Sequence, residues 1–155
     1  MSAWLAGALL AAATVGHYVA VRGVVPSLVL IVVVWYSIRV DARRAALCGL
    51  AAGLGEDAIS AQTGVAWTVS TCLSAMLASR LSRGFFADSI PLAASVMAVT
   101  TLLRALVFWV VMGAQGYPRG LGLIHAHEAM LAAVLNACVI VVAMLVARRF
   151  ELSAA

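Results

Sequence analysis

Residues 90–112 read IPLAASVMAVTTLLRALVFWVVM, twenty-three residues with a single charge, Arg104. A helix needs about 20 mainly apolar residues to cross a bilayer. This stretch has that length and opens with the helix-start pattern Asp88-Ser89-Ile90-Pro91. A lone Arg inside it demands an explanation, because a charge at mid-bilayer costs roughly 2.5–3.5 kcal/mol on insertion scales. The rest of the chain is of the same kind. Of 155 residues 65% are hydrophobic and 10% charged, with a mean hydropathy of +1.10. Soluble domains carry about 25% charged residues, so a soluble globular domain, a disordered chain and a disulfide scaffold are all excluded. An all-α integral membrane protein remains.

Working outward, the apolar runs predict six transmembrane helices at about 3–21, 24–38, 45–61, 65–79, 90–112 and 125–147. They form one transmembrane domain over 1–155, a compact bundle with no soluble domain. The first run has no basic residues before it and reads as a retained span rather than a leader. Pro26 is placed in the first turn of the second span, where its missing N–H costs nothing. All ten basic residues are Arg. Seven of them (Arg39, Arg43, Arg44, Arg80, Arg83, Arg148 and Arg149) fall on one side of this topology, and Arg22 and Arg119 on the other. The positive-inside rule then puts both termini in the cytoplasm. Trp35 and Tyr36 fit the inner interface; Tyr18, Trp67, Trp109 and Tyr117 fit the outer one.

Small residues recur at four-residue spacing: Ala3-Gly7-Ala11, Gly49 with Gly53, and Ala66-Ser70-Ser74-Ala78. Such stripes allow close helix approach in lipid. They either pack the bundle internally or dock a partner. The second span, rich in Val, Leu and Ile, can face lipid.

At 100° per residue Gly49, Ala52, Gly53, Glu56 and Ser60 share one helix face, with Asp57 at its edge. Glu56 lies about 17 Å and Arg104 about 21 Å from the inner ends of their spans at 1.5 Å per residue. The matching depths predict an intramembrane ion pair of Arg104 with Glu56 or Asp57. Alternatively, the two acids end a short helix at the outer surface. His125, His127 and Glu128 cluster at the outer mouth of the sixth span, where His17 could join them as a ligand or interface site. His125 and His127 are two apart and diverge on a helix, which suits no single metal. Asn136 is expected to hydrogen-bond across helices. Cys48, Cys72 and Cys138 form no C-x-x-C pair and read as buried free thiols. No serine elbow, phosphate loop or dinucleotide fingerprint is present. The expectations are no catalytic residues, cofactor or metal, and no nucleic-acid partner.

Val25-Pro26-Ser27 opens a span, a short basic loop follows, and then come Gly49-Leu-Ala-Ala-Gly53-Leu-Gly-Glu-Asp57-Ala-Ile-Ser60 and Gly64. Over residues 25–83 this resembles the rod-shape-determining membrane protein family MreD, with its proline-led second span and a glycine-rich third span ending in Asp, Ser and Gly. Pro26, Gly53, Asp57, Ser60 and Gly64 stand where that pattern places them, whereas Ser27 stands where the family often has Asp. The resemblance implies a non-enzymatic inner-membrane subunit of the bacterial cell-elongation machinery. Its partners would be an MreC-like periplasmic scaffold and, through it, the cell-wall synthases that make peptidoglycan, with no small-molecule substrate. The family also resembles in fold the substrate-binding S components of energy-coupling-factor transporters. In that alternative, Ala3-Gly7-Ala11 docks the coupling subunit, and Glu56, Asp57, Arg104, His125, His127 and Glu128 ring an outward-facing vitamin pocket.

Overall fold

The computed structural model describes residues 24–60, 63–83, 89–116 and 119–153. Five α-helices follow one another: α1 (Leu28–Ser37), α2 (Ala42–Ser60), α3 (Ala66–Leu81), α4 (Ile90–Ala114) and α5 (Gly122–Ser153), with a 3₁₀ turn at Arg119–Leu121. The described residues are thus almost wholly helical, as the apolar runs predict. The first expected span, 3–21, with His17 and the Ala3-Gly7-Ala11 stripe, lies outside the described residues, as do Tyr18 and Tyr117.

Two helices, Ile90–Ala114 and Gly122–Arg149, are long and apolar enough to cross a membrane. The other three fall short of the predicted six-span pattern for identifiable reasons. Pro26 precedes the cap rather than sitting in the first turn. Ser27 is the N-cap of α1, its Oγ accepting from the Leu30 N–H at 3.3 Å. The ten residues of α1 therefore rise only about 15 Å. Helix α2 starts at Ala42 and takes in Arg43, Arg44, Glu56 and Asp57, which lower its hydropathy. Helix α3 has sixteen residues, about 24 Å of rise.

The second span, whose composition would let it face lipid, is instead buried in the bundle. Val29, Leu30, Val33 and Val34 of α1 are at most 1% exposed. A helix that is apolar all round is a core helix, and α1 touches every other described helix. Around it, α2 and α3 form a close hairpin, and α4 and α5 pair antiparallel. Leu30, Ile31, Val34 and Ile38 pack with Ala78, Ala93, Met97, Ile140 and Met144. On the other side Val29 and Val33 meet Ala45, Cys48, Ala52 and Ala75.

Glycine sets the α2–α3 distance. A Cβ on Gly49 would stand 2.7 Å from the Thr71 carbonyl oxygen, and one on Gly53 would stand 2.5 Å from the Thr68 Cα. Both clashes are with backbone, so nothing larger than glycine fits without moving a helix. Ala66, Ser70, Ser74 and Ala78 of α3 are fully buried. Both stripes therefore pack the bundle internally.

The exterior is apolar and the interior partly polar. Leu47, Leu54, Ile59, Leu73, Leu106, Val110, Met130, Val134 and Leu145 are exposed, while Thr71, Ser74, Thr100, Thr101, Asn136 and Arg104 are buried. Water-soluble proteins show the opposite preference. The buried hydroxyls are satisfied locally or across helices. Thr100 and Thr101 donate to carbonyls one turn back, and Ser79 Oγ donates to the Val40 carbonyl at 2.7 Å. Of the thiols expected to be buried, Cys48 is, but Cys138 is exposed on the outer face of α5.

Candidate functional site: a polar centre built on Arg104

Arg104 rises from α4 into the middle of the bundle and is 5% exposed. Its Nη2 reaches a Glu56 carboxylate oxygen at 2.5 Å. Its Nη1 donates to Ser27 Oγ at 2.7 Å, and its Nε donates to Thr71 Oγ1 at 3.1 Å. Thr71 in turn donates to the same Glu56 oxygen at 3.2 Å. On the far side the Ser27 N–H donates to Asn136 Oδ1 at 2.9 Å, and Asn136 Nδ2 donates to Thr101 Oγ1 at 3.2 Å. One connected network therefore takes Ser27 at the cap of α1, Glu56 from α2, Thr71 from α3, Arg104 and Thr101 from α4, and Asn136 from α5. Among the described residues no buried side-chain nitrogen or oxygen is left without a partner. That completeness matters, because a half-satisfied polar network in a low-dielectric core is worse than an apolar one.

The predicted ion pair thus forms with Glu56 and not with Asp57. The second acid does something else: the two acids do not end a short helix, since α2 runs on to Ser60, and Asp57 turns instead to the start of the next helix. Asp57 accepts from Thr63 Oγ1 at 2.8 Å, the Trp67 N–H at 3.1 Å, the Thr68 N–H at 2.8 Å and Thr68 Oγ1 at 2.6 Å. The residue at the α3 N-cap, Val65, has no side chain able to cap. Asp57 supplies the missing acceptor from the preceding helix and satisfies two N–H groups of the first turn. Gly64 adopts φ +61° in that connection, a conformation that strains any residue with a Cβ. Gly49, Gly53, Asp57 and Gly64 thus together build the α2–α3 hairpin. Ser60, placed on the same face by periodicity, is exposed at the end of α2 and is not drawn in.

An aromatic wall adjoins the network. The Arg104 guanidinium lies over the Trp67 ring at 4.4 Å, a favourable cation–π placement. Trp67 packs on Phe108 at 4.1 Å between ring centres, and Phe108 stacks near His125 at 6.1 Å. Trp67 is therefore a wall of the site. His125 Nε2 sits 3.0 Å from the Ala105 carbonyl oxygen. Between these groups lies a half-open cavity of about 270 Å³, lined by Ser27, Trp67, Arg104, Phe108, His125 and Asn136, with the exposed Glu128 at its edge. His127 does not line this cavity with His125 and Glu128; it is exposed on α5. No group of three His, Cys, Asp or Glu side chains among the described residues could hold a metal.

Sequence reasoning found Glu56, Arg104 and Asn136 and missed Ser27, Thr71 and Trp67 as their partners. Thr71 is adjacent to the Ser70 stripe, and no period distinguishes a hydroxyl that meets a guanidinium from one that bonds its own helix. The fold and site define a helical bundle with an apolar coat and a neutralised, fully hydrogen-bonded charge at its centre. No known family profile, curated protein or solved structure matches the chain.

Proposed function

We propose that the chain is a non-enzymatic, multi-pass subunit of the bacterial inner membrane. It would serve the cell-shape and elongation complex by binding an MreC-like periplasmic scaffold and supporting peptidoglycan synthesis. The six-crossing arrangement with both termini cytoplasmic belongs to this reading. One observation carries it: three of the motif residues that resemble the MreD family, Gly53, Asp57 and Gly64, build the α2–α3 hairpin beside Arg104, although Ser60 takes no part. Gly49 and Gly53 set the helix contact, Asp57 caps α3, and Ser27 accepts from Arg104 where the family often has Asp. A guanidinium whose donors are engaged on three sides is a pin holding helices in register; it has little freedom for chemistry. The test is a mild-detergent pull-down of the tagged chain from its native membrane, with mass spectrometry of the partners. Recovery of a single-span periplasmic scaffold or a wall synthase supports the reading.

A second reading is favoured by the cavity beside Arg104. Its 270 Å³, aromatic wall and convergent polar groups resemble a small-solute site, as in a substrate-binding transporter subunit. Recovery of cytoplasmic ATPases with a coupling membrane subunit would favour this reading over the first.

A further inference from the structure

We infer that the outer groove between α4 and α5 holds the acyl chain of an anionic phospholipid whose phosphate is gripped by Arg148 and Arg149. The groove encloses about 640 Å³ and is floored by Ala94, Ala98, Ala133 and Ala137. Among the lining side chains only the sulfur atoms of Met130 and Cys138 could form even a weak hydrogen bond. From Met130 to Val142 it runs twelve residues of α5, about 18 Å at the helical rise. One leaflet of a hydrocarbon core about 30 Å thick spans about 15 Å, so the groove matches a single acyl chain lying along the bundle.

What stands at its inner end selects the lipid. Arg148 and Arg149 follow Val141 and Val142 by seven residues, which returns to nearly the same helix face. Both are exposed and lie about 10 Å beyond the end of the groove. Ile38, Ala78, Ala93 and Met144 pack together at this end of the bundle. Arg39, Arg43, Arg44, Arg80 and Arg83 therefore gather at it too, and all are exposed. The nearby Asp41 is already paired with Arg44 at 3.3 Å. A guanidinium binds a phosphate through two parallel hydrogen bonds. Charge also decides against a partner helix here. The cytoplasmic flank of a membrane helix is itself rich in Arg and Lys and would meet Arg148 and Arg149 as like charges. A phosphodiester is their complement.

The inference rests on α4 and α5 crossing the bilayer. The test uses the full chain in mild detergent, titrated with phosphatidylglycerol or with phosphatidylcholine of the same acyl composition. Phosphatidylglycerol should raise Tm by about 5 °C at saturation, as ligand binding to the folded state does, and phosphatidylcholine much less. Each arginine near an anionic headgroup is worth about fivefold in affinity, so R148Q/R149Q should weaken the phosphatidylglycerol preference about 30-fold. Equal stabilisation by both lipids, or a preference that survives R148Q/R149Q, overturns the proposal. A photo-crosslinking residue at Val134, in the native membrane, should label phospholipid; labelling of a partner helix overturns it as well. A carbonate wash separates the two levels. A chain stripped from membranes refutes the crossing itself, whereas an integral chain without lipid preference refutes only this site.

Discussion

Arg104→Met leaves the guanidinium site shape roughly filled but strips the Glu56 carboxylate, Thr71 Oγ1 and Ser27 Oγ of their shared donor. Glu56 has only 16% of its side chain exposed, so its charge loses its partner in a largely dehydrated place. Breaking a buried pair from one side costs about 3–5 kcal/mol. The open cavity beside the pair lets water in and argues for the lower end, about 3 kcal/mol. Glu56→Gln keeps an acceptor for Thr71 and Arg104 but removes the charge, and should cost about 2 kcal/mol, between a neutral hydrogen bond and a charged one. In the double variant neither charge remains to be left unpaired, so the losses should overlap by about 1.5 kcal/mol. Asp57→Ala is the internal control. All four bonds given for Asp57 go to Thr63, Trp67 and Thr68, and none goes to Arg104. Its loss should add to that of Arg104→Met within about 0.5 kcal/mol. Reversible unfolding in mixed micelles, followed by tryptophan fluorescence, reads the parent chain, the three single variants and the two double variants. Additive losses for Arg104 and Glu56, or stronger coupling of Arg104 to Asp57, would refute the assignment of the pair.

Other outcomes follow from the same contacts. Gly53→Ala must push backbone from backbone and should cost about 2–3 kcal/mol, whereas Gly113→Ala, with nothing near its Cβ, should be neutral or stabilising by up to about 1 kcal/mol; the same unfolding assay compares them. Asp57→Ala alone should cost about 2 kcal/mol and raise amide exchange at Trp67 and Thr68, the two N–H groups it caps. A membrane-permeant maleimide should modify exposed Cys138 well before buried Cys48, as mass spectrometry of timed samples would show; equal rates would contradict the packing of α1 against α2. Ser27→Asp would set a second carboxylate against Arg104 Nη1 and should reduce the loss caused by Glu56→Gln to under about 1 kcal/mol. An undiminished loss would mean that position 27 does not govern the guanidinium.

Much of this was legible in the chain because membrane and helix physics act locally. Length and apolarity placed α4 and α5, the period of 3.6 put Gly49, Gly53 and Glu56 on one face, and the cost of a lone Arg in an apolar run required a partner at its depth. What the sequence could not decide was which of two neighbouring acids that partner is. Glu56 and Asp57 differ by 100° around α2, and only the position of α3 shows that the Asp57 direction meets bare N–H groups while the Glu56 direction meets Arg104. Composition was equally silent on α1. A run of Val, Leu and Ile suits lipid and core alike, since both are apolar, and only the arrangement of four helices around it makes it the centre. The sequence determined the apolar character and the helices; the tertiary structure decided which polar groups meet, because that depends on helix rotations and spacings that no local pattern encodes.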